Sequence, residues 1–163
     1  MLNYLFVYGS LKSKKVQKEL FGKILKSEEA EIIDYALYEA EDGFYFIKEK
    51  EKSLVKGFVL EISDYDLKIC DAFEECPEMY IRQNKKIKIN GKNLEAYVYI
   101  RKDNVGKYKI IENFDSYSKL TEKELIEEVR IFKKFEHPEF YEKGNWNDKN
   151  RNYRTWINGR LSC

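Results

Sequence analysis

The sequence is short of the side chains on which most metal-binding and nucleophilic chemistry depends. Histidine occurs once in 163 residues, as His137 before Pro138, near the end of a charged helical stretch. Zinc sites and nucleophile triads ordinarily draw on histidine. No metal site and no histidine-activated nucleophile is therefore expected, and His137 reads as a surface or helix-end residue. The three cysteines, Cys70, Cys76 and Cys163, form no CxxC pair and no zinc-ligand spacing. An odd count leaves at least one thiol unpaired, and reduced, structural cysteines are expected. Long apolar runs are missing as well, since none approaches the roughly 20 residues that cross a bilayer. Met1-Leu2-Asn3-Tyr4 leads straight into a strand pattern rather than a signal peptide. Charge of one sign is also lacking: 30 basic against 29 acidic side chains give a net charge of +1, which leaves no global field to attract nucleic acid or an anionic membrane. The expectation is a soluble cytoplasmic protein with neither partner. Oligomeric state is not legible, because an exposed apolar face and a core face read alike in sequence.

What is present is a regular run of β and helical patterns in a chain of single-domain length. Tyr4-Leu5-Phe6-Val7-Tyr8 is a continuous apolar and aromatic run that predicts a buried strand ending at Gly9. Val16, Leu20 and Phe21 fall at helical spacing, with Gly22 as the stop. Residues 30–40, 44–48 and 54–62 predict three further strands, the first two joined by the turn Glu41-Asp42-Gly43. Ser63 caps the next predicted helix, with Asp66 three residues on, and Pro77 forbids continuation beyond about residue 75. Residues 79–89 and 94–101 flank Asn90-Gly91, a strong hairpin signal. Five or six strands with hairpin-length connections and short helices predict an α+β fold, a small, mostly antiparallel sheet curled toward a barrel with flanking helices.

That barrel domain is assigned to residues 1–111, and residues 112–163 to a C-terminal extension packed on it. Leu125, Ile126, Val129, Phe132 and Phe135 recur at helical spacing through residues 121–135 and predict an amphipathic helix. The tail interleaves Tyr141, Trp146, Tyr153 and Trp156 with Arg151, Arg154 and Arg160. Such a mixture can stack on bases. The aromatics equally suit covering a core edge or a pocket mouth, and the balanced charge favours that reading.

Two segments carry chemistry. In Tyr8-Gly9-Ser10-Leu11 a buried strand breaks at a glycine, where bare backbone N–H groups can grip a carboxylate or an oxyanion. Ser10 can add a hydroxyl, and Tyr8 a phenol if its ring enters the same cavity; a plain tight turn is the competing reading. The second segment is Cys70-Asp71-Ala72-Phe73-Glu74-Glu75-Cys76-Pro77. At about 100° per residue, Glu74 returns to within about 20° of Leu67 and so joins the apolar stripe, whereas Glu75 lies about 80° away and is solvated. A carboxylate among apolar groups has its charged form disfavoured and can both take and give a proton near neutrality. The alternative is that Glu74 pairs with Arg82 or caps neighbouring backbone. Cys76 as a nucleophile would need a base that the sequence does not provide.

Together, Val7-Tyr8-Gly9-Ser10-Leu11-Lys12, then Leu54-Val55-Lys56-Gly57-Phe58-Val59-Leu60-Glu61, then Asp71-Ala72-Phe73-Glu74 followed by Pro77, Tyr80 and Arg82, resemble the gamma-glutamylcyclotransferase-like family. The likeness is nearest to its gamma-glutamylamine cyclotransferase and avirulence-induced-protein-like branch, and it covers residues 2–101. The resemblance implies a small barrel with helices and release of 5-oxoproline from a gamma-glutamyl amine, amino acid or peptide, with no metal or organic cofactor. It implies that Tyr8, Gly9, Ser10 and Leu11 hold the glutamyl end of the substrate and that Glu74 is the general acid/base. Tyr80, Arg82, Tyr97 and Tyr99 are candidate cavity walls without assigned roles. Phe44 stands where relatives often carry proline. The Gly144-Asn145-Trp146 segment loosely resembles tails that follow a charged helix in some relatives, and is a candidate cover for the pocket. The other reading of the chain is a non-catalytic binding module of the same fold.

Overall fold

A computed structural model describes residues 2–101 and 108–142. Six strands, β1 (Leu2–Val7), β2 (Ser27–Glu39), β3 (Tyr45–Ser63), β4 (Tyr80–Ile89), β5 (Lys92–Arg101) and β6 (Lys109–Ile111), alternate with helices α1 (Lys14–Phe21), α2 (Asp64–Phe73) and α3 (Glu122–Ile131). The sheet order is β3-β1-β5-β4-β2-β6, and β2 also pairs with β3. The first five strands therefore close into a barrel, and β6 extends the free end of β2. Closure hides the edges that an open sheet of this size would expose. Every pairing is antiparallel except β1 with β5, where Leu5 lies opposite Tyr97 and Phe6 opposite Val98, so the barrel is mixed.

The expected strands at residues 44–48 and 54–62 are one strand. β3 runs for 19 residues, and the charged stretch Glu49-Lys50-Glu51-Lys52, which looked like a break, is an exposed bulge within it. The register with β2 shifts between Ile33 and Tyr35. Asp34, at φ 63°, stands opposite and accepts a 3.0 Å hydrogen bond on Oδ1 from the Lys52 N–H. Bulging lets a polar segment leave the ladder without ending the strand. The Asn90-Gly91 hairpin forms as expected, both residues at positive φ as a primed turn requires. Strand β6 has no counterpart in the expectations; at three residues it carries too little pattern to read.

Ser13 caps α1 by accepting from the Val16 N–H at 3.2 Å, and Gly22 closes it in the left-handed conformation. Ser63 caps α2 through the Asp66 N–H. Thr121 and Glu124 form a reciprocal capping box on α3. Leu125 and Val129 of α3, with Phe132 and Phe140 beyond it, join the core that holds Val16, Leu20, Leu67 and Cys70. The described part of the C-terminal segment, through these residues, thus contributes to the same packed interior. The helix expected over 121–135 becomes a π-type turn at Phe132–Glu136. Tyr141 donates to the Leu20 carbonyl at 2.7 Å and seals a core edge. Trp146, Tyr153, Trp156, the three tail arginines, Cys163 and the Gly144-Asn145-Trp146 segment lie outside the described residues. Cys70 is free and buried. Cys76 is disulfide-bonded, which corrects the expectation of reduced cysteines and leaves it no thiol for nucleophilic attack.

One glycine is fixed by contact rather than by a turn. A Cβ on Gly57 would lie 2.2 Å from the Val7 carbonyl oxygen and 3.0 Å from the Phe6 ring, where β1 ends beside β3. Nothing but hydrogen fits. Gly57→Ala is expected to cost at least about 2 kcal/mol, whereas Glu51→Ala in the exposed bulge stays within about 0.5 kcal/mol; chemical denaturation of the two variants beside the parent protein measures both.

Candidate functional site

The end of β1 sets the site. After Val7 the chain leaves the sheet, and residues 10–12 make one 3₁₀ turn in which Lys12 N donates to the Gly9 carbonyl at 3.0 Å and Ser13 N to the Ser10 carbonyl at 3.1 Å. Gln17 fixes the turn from below. Its amide donates to the Leu11 carbonyl at 2.8 Å and its oxygen accepts from the Leu25 N–H at 3.1 Å. Among the described residues, the N–H groups of Ser10 and Leu11 donate to no backbone carbonyl, and both residues line a cavity. This is the bare-amide geometry that can receive an anion.

That cavity has about 410 Å³ of space when its open mouth is included. Tyr8, Gly9, Ser10, Leu11 and Glu74 all line it, so the structure brings the five sequence-predicted residues to one place. The rest of the lining is Phe6, Val7, Phe44, Tyr45, Tyr80, Tyr99 and Tyr117. Tyr8, Tyr45, Tyr80 and Tyr99 are buried and form the floor; Gly9, Ser10, Phe44, Glu74 and Tyr117 are partly exposed at the mouth.

The tyrosines hold each other's strands. Tyr8 donates to the Tyr99 carbonyl at 2.6 Å, Tyr80 to the Tyr45 carbonyl at 2.9 Å, and Tyr99 to Asp71 Oδ1 at 2.7 Å. Burial pushes the Tyr8, Tyr80 and Tyr99 phenols well above their ordinary value, and the Glu74 charge adds to this at Tyr8 and Tyr80. These phenols stay protonated and have their protons committed. Proton exchange near neutrality falls to the one carboxylate in the lining.

Glu74 caps the C-terminal end of α2, its N–H donating to the Cys70 carbonyl at 2.8 Å. Its side chain follows the apolar stripe of the helix into the cavity, while Glu75 is exposed, as the helical wheel predicts. Desolvation raises the Glu74 pKa to about 7, with the charges of Asp71 and Glu75 adding to it. The negative end of the helix dipole acts in the same direction. Arg82 does not relieve this: its Nη1 lies 3.1 Å from Asp71 Oδ2, and its guanidinium sits 4.6 Å from the centre of the Tyr97 ring. The alternative pairing of Glu74 with Arg82 is therefore set aside. Asp71 is also raised by burial, against the pull of Arg82 and the hydrogen bond from Tyr99. Of the four candidate walls, Tyr80 and Tyr99 line the cavity and Arg82 and Tyr97 stand behind it.

Sequence reasoning missed Tyr45 and Tyr117, and gave Phe44 no place in the site. Phe44 follows a tight turn in which its N–H donates to Asp42 Oδ1 at 3.0 Å and Gly43 sits at φ 87°; the ring reaches the mouth. Tyr117 comes from the connection between β6 and α3, and no local pattern marks it. His137, with Nδ1 2.8 Å from Glu139, lies outside the lining, at the helix end where it was expected. Among the described residues no group of three or more His, Cys, Asp or Glu is placed to hold a metal ion, and no helix is long and apolar enough to cross a membrane.

The family model of gamma-glutamyl cyclotransferase, AIG2-like, matches residues 5–119. The chain belongs to this family. Its matched region contains all of the barrel except residues 2–4 at the start of β1, and every residue of the cavity lining. Solved structures share the fold at low identity. A protein named gamma-glutamyl cyclotransferase is 14% identical, with TM-score 0.57 over 96% of this chain and 98% of that one. An Arabidopsis thaliana protein solved in solution is 18% identical, with TM-score 0.56 over 91% and 89%. An AIG2-like protein from Mus musculus is 22% identical, with TM-score 0.50 over 61% and 76%. No curated protein matches the chain. In this family member, then, the cavity joins a bare-amide loop to a carboxylate held near neutrality.

The raised Glu74 pKa has a consequence for stability. Its folded-state value lies above the unfolded one, so the native state holds the extra proton between about pH 4.5 and 7. Stability is lost as pH rises through that window. Glu74→Gln removes the buried charge and is expected to raise stability at pH 8 by about 1 to 2 kcal/mol, with little change at pH 4.5. Thermal melts of both proteins at the two pH values test this, and equal shifts at both would contradict it.

Proposed function

We propose that this chain is a cytoplasmic gamma-glutamyl cyclotransferase that releases 5-oxoproline from a gamma-glutamyl amine, amino acid or peptide and needs no cofactor for the reaction. The observation that carries this reading is Glu74, the one carboxylate in the cavity lining, held near pH 7 beside the bare amides of residues 10 and 11. Family membership supports the same reaction class.

In this reading the Tyr8-Gly9-Ser10-Leu11 loop receives the glutamyl end. Glu74, ionised, takes a proton from the substrate α-ammonium, and the freed amine nitrogen attacks the γ-carbonyl carbon of the same molecule. A five-membered ring closes and the carbonyl oxygen becomes an oxyanion, which backbone N–H groups can stabilise. Collapse breaks the bond from the γ-carbon to the leaving nitrogen, and Glu74 returns the proton to that nitrogen. Two protons leave the α-nitrogen in all: the first passes through Glu74 to the leaving nitrogen, and the second, shed by the ring nitrogen as the new amide forms, ends on the departing amine, so the products are 5-oxoproline and an ammonium. The nucleophile is tethered to the electrophile, so the protein has to fold the substrate and manage these proton transfers. A base near pH 7 balances proton uptake against return.

The test is 5-oxoproline release from a panel of gamma-glutamyl amines, amino acids and glutathione. Wild type is expected to turn over at least one member, and Glu74→Gln to lose at least about 10³-fold in kcat while remaining folded. The kcat/KM of wild type is expected to climb with pH up to about 7, as Glu74 ionises. Release that survives Glu74→Gln would remove Glu74 from the chemistry. No release from any member would favour the binding-module reading.

A further inference from the structure

Lys12 is almost fully buried, with 8% of its surface exposed. Burying an ammonium is costly unless its donors are satisfied, and here they are spent on backbone. Nζ donates to the carbonyl oxygens of Phe114 and Ser116, the latter at 2.8 Å. Desolvation lowers its pKa to about 8, opposed by Asp115. The two carbonyls belong to the connection between β6 and α3, which runs across the mouth of the cavity.

That connection is fastened independently at two more points, one on a cavity wall at Tyr45 and one at Gly43, next in sequence to the lining residue Phe44. The Tyr45 hydroxyl and Ser116 Oγ are 2.7 Å apart, and the Lys119 N–H donates to the Gly43 carbonyl at 2.8 Å. Inside the segment, Ser118 is buried and its Oγ accepts from the Leu120 N–H at 2.9 Å. The cover is also tight. A Cβ on Gly9 would lie 3.3 Å from the Tyr117 carbonyl oxygen, so the segment rests on the very loop whose amides face the cavity. Between these anchors the Tyr117 ring joins the lining, where it and Phe44 are the two partly exposed rings.

We propose that residues 113–120 form a fixed cover completing the substrate cavity, that Lys12 is the positioning residue that holds it, and that Tyr117 with Phe44 forms the subsite for the leaving group. The proposal rests on the cyclotransferase reading and extends it. The buried phenols close the inner end, and the loop and Glu74 stand toward the mouth with the two rings, so an acyl substituent that extends outward from the loop and Glu74 passes between those rings. One turn of chain thereby has two outputs: Ser10 and Leu11 face the substrate, and Lys12, on the far side, sets the wall opposite.

Two substrates separate the parts. In γ-glutamyl methylamide the leaving group is too short to reach the rings; in γ-glutamyl phenethylamide it reaches them. Wild type is expected to prefer the phenethylamide in kcat/KM. Lys12→Met and Tyr117→Ala are each expected to lower the phenethylamide-to-methylamide ratio about tenfold, through KM rather than kcat. Lys12→Arg, which keeps the donors, should retain most of the ratio. Hydrogen exchange of the amides in residues 113–120 should quicken in Lys12→Met and not in Tyr117→Ala. Equal losses on both substrates would overturn the proposal and move Lys12 to the glutamyl half or to folding. An unchanged ratio in both variants would also overturn it. If wild type releases 5-oxoproline from neither substrate, the reaction itself fails and this proposal with it; release from wild type without a variant effect fails the cover alone.

Discussion

The structure turns on the place where β1, at its end, lies against Gly57 of its antiparallel neighbour β3. Gly57 brings the two backbones so close that a single methyl group would meet the Val7 carbonyl at 2.2 Å. Because β1 is held between β3 on one side and β5 on the other, that contact fixes the depth at which β1 ends. The end of β1 is where the chain turns into residues 8–12. The bare amides, the Lys12 anchor and the cap of α1 all follow within six residues. A barrel that closed less tightly would shift all three together, and catalytic geometry tolerates little displacement.

Around that fixed point the site is built mainly from burial. The floor phenols are protonated because they are desolvated and because their protons serve the backbone of neighbouring strands. Glu74 is held near neutrality because a helix end delivers it into the same low-polarity space, with Asp71 and Glu75 close by and no cation beside it among the described residues. The nearby cations are engaged elsewhere: Arg82 with Asp71, Arg101 with Asp42 through Nη2, its buried Nε and Nη1 having no hydrogen-bond partner among the described residues, and Lys12 with two carbonyls. Withholding counter-charge from one carboxylate, rather than adding any special group, keeps its pKa near neutrality. The cost is stability, which is why the same residue links acid–base chemistry to the pH dependence of folding.

Much of this was legible in the sequence where a local rule applied. The Gly9 break, the Ser63 cap, the Pro77 stop and the Asn90-Gly91 turn each act over a few residues, and each falls where the pattern places it. Glu74 and Glu75 were distinguishable because helical periodicity alone sends adjacent residues to different environments. The bulge in β3 was not legible, since Glu49-Lys50-Glu51-Lys52 looks the same whether a strand ends or merely steps out of register. Tyr117 and the true partner of Arg82 were not legible either. Both depend on which distant segment lies opposite, which no spacing encodes.

The sequence by itself determined most of the elements, the break of β1 at Gly9 and the orientation of Glu74, because capping, turn chemistry and periodicity are properties of neighbouring residues. The family likeness carried in those same motifs added the reaction class. Only the tertiary structure decided that these pieces share one cavity, that Arg82 pairs with Asp71 rather than with Glu74, and that a connection more than a hundred residues from the loop brings Tyr117 into the lining. Desolvation and charge pairing act through space, so their outcome is set only once the barrel has closed.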